Sequence, residues 1–213
     1  MANTSQPFGF RQFGRREGGA PTAGQERCFI LSSDPSPYFT GDTVALSTTS
    51  LVRGYLTNTG SSGNIGMADY GVFLGCEYFN PNVNRVVWNS YFPGNVGSSS
   101  PVTAYVCTDP EQLYITQGTS GAVIGSSQIG FGFPHAITGS SLGNTLSGQS
   151  VMTLTSSLPT GLSSNAHFVL VDMYSNFAPA GVNGTSTTAE GLQIVVVQPN
   201  NFQRKATLTF LST

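Results

Sequence analysis

Short apolar runs that alternate residue by residue, broken every ten residues or so by Gly, Ser, Thr, Asn or Pro, dominate this chain of 213 residues. In VTAYVCT (102–108), Val102, Ala104 and Val106 fall on one side and Thr103, Tyr105 and Cys107 on the other. In KATLTFL (205–211), Ala206, Leu208 and Phe210 oppose Thr207 and Thr209. Period-two alternation rich in β-branched and aromatic residues is the pattern of strands packed on one face. Strands are expected over 26–33, 43–48, 70–80, 85–92, 102–108, 112–117, 150–157, 167–174, 192–199 and 205–212. No segment keeps a 3.6-residue period for four turns. The best short helical candidate is DPEQLYI (109–115), where Asp109 would cap a turn opened by Pro110 and Glu111. Many strands without crossover helices imply an all-β fold, an antiparallel jelly-roll-like sandwich or barrel.

Two regions stand outside the rhythm. Residues 1–25 read as an extended N-terminal arm on a single all-β domain spanning 26–213. Residues 118–149, rich in Gly and Ser, read as a long loop excursion, a length that calls for something to hold it.

Only 8% of the residues are charged, against roughly 25% in an ordinary globular protein. Two accounts fit: a β protein with long polar loops, or a surface that lies against partners, where charged residues other than Arg are depleted. A net charge of −2 argues against a nucleic-acid binder, although Arg11, Arg15, Arg16 and Arg27 make up half of the eight basic residues. No apolar run approaches 18 residues, so no membrane partner is expected. The first residues lack the apolar stretch of a secretion signal. Cys28, Cys76 and Cys107 are far apart and odd in number, which points to buried free thiols rather than a disulfide framework or a zinc site.

The motifs of catalysis are thin. GSSLG (139–143) matches the nucleophile pattern around Ser141, but that motif needs a strand–turn–helix setting. His135 and His167 are the two histidines and read as structural; Asp172, five residues after His167, falls on the opposite face of its strand. The acids, Asp69 among them, are scattered, and the Asp109–Glu111 pair reads as a turn. A single lysine, Lys205, leaves no phosphate loop. No catalytic, metal or cofactor residue is therefore assigned, and the chain is not expected to be an enzyme. The unit CEYFNPNVNRVVWNSYF (76–92) gathers Tyr78, Phe79, Trp88, Tyr91 and Phe92, expected mostly as core or interface, with Trp88 the residue on which a sugar platform would be built.

Five segments, taken in order, carry a resemblance: MANTSQPFGFR (1–11), YFTGDTVAL (38–46), GVFLGCEYFN (71–80), AYVCTDPEQLYITQ (104–117) and IVVVQPNNFQR (194–204). Together they resemble the head decoration, or cement, proteins of short-tailed and related tailed bacteriophages, over nearly the whole chain. The resemblance implies a structural virion protein made in the host bacterial cytoplasm, which decorates the capsid exterior and bridges subunits of the major capsid protein. It implies a homo-oligomer, dimer or trimer, at local symmetry axes, with no cofactor and no nucleic-acid or membrane partner. It assigns the capsid contact to Pro7, Phe8, Gly9, Phe10 and Arg11. Phe13 adds a third aromatic anchor beside Phe8 and Phe10, and Arg15 and Arg16 add donors for partner carboxylates. Extra Gly/Ser/Thr-rich material near 118–150 and 175–190 departs from the family pattern. The competing reading is a carbohydrate- or receptor-binding β module of a phage head or tail fibre.

Overall fold

The structure is a computed structural model and describes residues 7–18, 24–47, 54–59, 69–97, 100–119, 124–137, 142–155, 166–174, 194–200 and 202. In chain order the first strands are β1 (Arg11–Arg15), β2 (Gln25–Ile30), β3 (Tyr38–Phe39), β4 (Thr43–Leu46), β5 (Leu56–Asn58) and β6 (Gly71–Asn80). There follow β7 (Arg85–Asn89), β8 (Tyr91–Phe92), β9 (Val102–Cys107), β10 (Gln112–Gln117), β11 (Gly132–Phe133) and β12 (His135–Ile137). The last are β13 (Gly143–Asn144), β14 (Gln149–Ser150), β15 (Met152–Leu154), β16 (Phe168–Met173) and β17 (Ile194–Pro199). Among the described residues the only helical piece is a 3₁₀ turn at Ser126–Gln128, and no helix is long and apolar enough to cross a membrane.

Two antiparallel sheets form a sandwich-like arrangement, with no closed barrel among the described residues. One runs β1-β10-β17-β16-β11; the other runs β2-β9-β6-β4-β5, with β7 paired to the far half of β6. Three further two-stranded ribbons pair β3 with β8, β12 with β15 and β13 with β14.

Alternation decides where each strand buries its apolar side. From β9, Val102, Ala104 and Val106 enter a cluster with Cys28, Ile30, Phe73, Cys76 and Val44, lidded by Tyr38 and Phe92. Its other face is covered only at one end. Cys107, with Val72 of β6, packs against Tyr114, Phe168, Leu170, Val195 and Val197 of the five-stranded sheet. At the open end Thr103 and Tyr105 are only partly buried. All three cysteines are buried thiols outside any disulfide, each in a strand.

The segment 109–115 is a turn running into β10, not a helix. Asp109 Oδ1 accepts the Glu111 backbone N–H at 2.9 Å, so its carboxylate closes an Asx-type turn in place of a helix cap. The described part of 118–149 is also more than a loop: Ile124 and Phe133 are core residues and β12 pairs in register with β15. The strand expected at 205–212 lies outside the described residues.

The largest correction concerns the N-terminal segment. Over 7–18 it is not an arm but part of the domain: β1 pairs with β10 as the edge of the five-stranded sheet. Phe10 is 1% exposed and stacks on Phe168 with ring centroids 4.2 Å apart. Two glycines seat it. Gly9 (φ +73°) and Gly41 (φ +96°) take backbone conformations that favour glycine, and Phe10 N–H donates to Gly41 O at 3.0 Å. A Cβ on Gly9 would stand 2.6 Å from Ser150 Cβ and 2.9 Å from Gly41 O. The physical reason is burial: a phenylalanine ring gains more from a preformed core slot than from water.

Phe10→Ala is therefore expected to lower stability by about 3–5 kcal/mol, and Gly9→Ala to lower it as well through strain and clash. Urea denaturation of the isolated protein checks both. An unchanged midpoint for Phe10→Ala would put the ring outside the core.

Candidate functional site

Where the two sheets meet, five chain segments bring polar side chains into the interior. Asp69 precedes β6, His135 opens β12, His167 precedes β16, Thr43 opens β4 and Thr59 follows β5. Asp69 Oδ2 lies 2.8 Å from His167 Nδ1 and 3.5 Å from His135 Nδ1. The two imidazoles meet edge to face with centroids 4.3 Å apart, and the Phe10 ring stands edge-on to His135 at 6.5 Å. All three residues of this cluster are buried, Asp69 completely. Burial drives the His135 imidazole down to about 4, against the raising pull of Asp69, so the ring is neutral at pH 7.

Thr59 Oγ1 donates to Thr43 O at 2.9 Å. The two threonine hydroxyls lie 2.6 Å apart, and Thr43 Oγ1 lies 3.1 Å from His135 Nε2 and 3.4 Å from Met152 Sδ. His135 Nδ1 and Asp69 Oδ1 are buried, and neither has a hydrogen-bond partner.

The order Thr43 hydroxyl, His135, Asp69 copies the layout of a hydrolase triad, but Thr43 is completely enclosed, so no substrate carbonyl reaches it. Ser141 of the GSSLG match lies outside the described residues. Gly143, two residues on, is a packing glycine, since a Cβ there would stand 2.3 Å from the Phe39 ring.

The surface offers a different kind of site. Register places Phe29, Thr103, Glu77 and Trp88 in one row across β2, β9, β6 and β7, with Phe79 opposite Val86 in the next. These four strands span roughly 14 Å at ~4.8 Å spacing. Phe29, Phe79, Val86 and Trp88 are all exposed, Trp88 at 58%. The Trp88 indole lies across Gly75 and meets Tyr105 edge to face at 5.8 Å. Gly75 is required twice, by its φ of +152° at the bulge and because a Cβ would strike the indole. A groove of about 550 Å³ opens beside this face between Phe79, Val86, Pro81 and Pro101.

The residues expected at the capsid contact are divided by the fold. Gly9 and Phe10 are interior. Pro7, Phe8 and Arg11 wall a groove of about 710 Å³ with Ile115, Tyr174 and Ile194, and the Arg11 guanidinium lies 5.3 Å from the centre of the Phe8 ring. Phe13 is exposed and meets Tyr174 edge to face. Arg15 pairs with Asp109 at 2.9 Å, and Arg16 donates to Gln198 at 2.9 Å, so both arginines have partners within the chain. Trp88 and Phe79 were visible in the sequence as candidates. The Asp69–His135–His167 cluster was not, because its members are up to 98 residues apart.

No protein-family model, curated protein or solved structure matches this chain.

A second buried carboxylate flanks the cluster. Asp42 Oδ2 accepts from Phe39 N–H at 2.8 Å and from Asn58 Nδ2 at 3.0 Å, yet burial outweighs these bonds and pushes the group up to about 7. A folded-state value above the ordinary 3.8 means the folded chain holds this proton longer than the unfolded one. Its contribution to stability is full below pH 3.8 and is lost as pH rises towards 7. Melting temperatures of wild type and Asp42→Asn across this range are expected to differ in slope, the wild type losing stability relative to the variant as pH rises. Parallel curves would contradict the assignment.

Proposed function

We propose that this chain is a structural virion protein that decorates and cements the outside of a tailed-phage capsid by bridging major capsid protein subunits. The observation that carries the reading is the sheet face that gathers Phe79, Val86, Trp88 and Tyr105, with Phe29 beyond Thr103 and Glu77. Lone exposed apolar residues are ordinary, but several on one face of a sheet are what a protein partner buries. A surface with so few charges fits a molecule whose working state is packed against neighbours. The reading also rests on the five-segment resemblance, and the finer jelly-roll description belongs to it. Cementing needs area and repetition rather than turnover, so a modest contact per copy suffices when copies associate as dimers or trimers at symmetry axes and add their contacts. In this reading the N-terminal segment contributes through Pro7 and Phe8, which precede β1, and through Arg11 and Phe13 within it, rather than as a free arm that orders on the shell.

Exposure of Trp88 favours one second reading, a glycan-binding platform, because an open indole on a rigid sheet suits the apolar face of a sugar ring.

Trp88 is the single tryptophan, so its emission reports directly on this face. Titration with capsids assembled from the cognate major capsid protein is expected to shift that emission to the blue. Co-sedimentation is expected to fall at least tenfold, about 1.4 kcal/mol, in a Phe29→Ser, Val86→Ser double variant that keeps the wild-type melting temperature. Binding to a glycan array that is lost in Trp88→Ala, with no binding to capsids, would replace this proposal by the second reading.

A further inference from the structure

We propose that Asp69, His135 and His167 form a structural zinc site that fastens the two sheets together. Three independent features of the cluster point to a cation. First, the donor set is right: two imidazole nitrogens and a carboxylate are borderline ligands that zinc accepts. Second, the spacing is right. At zinc–ligand distances of ~2.0–2.1 Å, neighbouring donors of a tetrahedral site stand ~3.3 Å apart. His135 Nδ1 and His167 Nδ1 lie 3.5 Å and 2.8 Å from the shared oxygen Asp69 Oδ2. Third, the cluster is electrostatically unfinished. His135 Nδ1 and Asp69 Oδ1 are both buried and have no hydrogen-bond partner. Buried polar atoms without partners are costly, and a divalent ion held between them resolves both.

The outer contacts fit as well. A metal-bound histidine commonly gives its other N–H to an oxygen that fixes the ring, and His135 Nε2–H does so to Thr43 Oγ1. On binding, His167 carries its proton on Nε2 and turns Nδ1 to the ion, and a carboxylate oxygen of Asp69 is the third donor, which leaves the fourth position to a small ligand such as water. The three residues are buried, so no substrate reaches the ion, which makes the site structural rather than catalytic. It ties the β4 and β6 end of one sheet to β16 of the other through β12. This site is independent of what the exposed face binds.

Because the cluster is buried, the ion enters during folding. The full chain, unfolded in urea and refolded with either zinc chloride or EDTA, is desalted and its metal counted by plasma emission. One retained zinc per chain and a higher melting temperature than the EDTA-refolded protein are expected. Refolding with cobalt is expected to give the strong visible bands of a tetrahedral site. Asp69→Asn, which keeps the shape but loses the anionic donor, is expected to retain no zinc. Thr43→Val, which removes only the oxygen that orients His135, is expected to bind zinc roughly 10–100-fold more weakly and remains informative if Asp69→Asn does not fold. No zinc above the EDTA control would overturn the proposal, as would equal zinc in wild type and both variants.

Discussion

The fold depends on the close approach of two glycines. Gly9 and Gly41 come near enough that neither tolerates a Cβ without displacing backbone, and their contact lowers Phe10 into the interior. Three things follow from that one ring. Stacked on Phe168, it anchors β16. Its backbone leads directly into β1, which gives the five-stranded sheet its edge. Its edge stands against His135, so the apolar core and the buried polar cluster share a wall. The turn that presents Gly41 is held in turn by Asp42, whose carboxylate accepts the Phe39 N–H, and by the Gly41 N–H bond to Phe73 O at 2.9 Å.

This places much of the chain's polarity where it is least expected. The surface carries few charges, while Asp42, Asp69, His135 and His167 are sealed inside. Burying such groups costs several kcal/mol each unless they are partnered, and only some of their polar atoms find partners within the chain: Asp69 Oδ2 meets His167 Nδ1, while Asp69 Oδ1 and His135 Nδ1 have none. The exposed face follows the opposite rule. Phe29, Val86 and Trp88 leave half or more of their surface in water on one face of the sheet.

Much of the architecture was legible from alternation alone. The strand segments around Val102–Cys107, Gly71–Asn80, Phe168–Met173 and Ile194–Pro199 carry period-two or continuous apolar patterns strong enough to place them within a few residues. The short pairings Tyr38–Phe39, Gly132–Phe133 and Gly143–Asn144 were not, because two residues carry no period and form only when a distant partner is present. PFGFRQFGRREGG was misleading for a definable reason. Its glycines read as freedom, whereas Gly9 is a demand for one conformation, and a lone Phe10 gives no local sign that its slot lies beside Phe168. The histidine cluster was invisible in the same way: Asp69, His135 and His167 share no spacing, only a destination set by tertiary pairing.

The central claim is that the N-terminal segment is an integral strand whose phenylalanine completes the core, so that any partner is met by a preformed surface. Amide hydrogen exchange of the isolated full-length protein tests it most directly. Phe10 N–H, bonded to Gly41 O, and the amides of Arg11–Arg15 that pair with β10 are expected to exchange slowly, approaching the protection of β16 and β17. Exchange of these amides at the rate of an unstructured peptide, with protection appearing only when capsids are added, would contradict it.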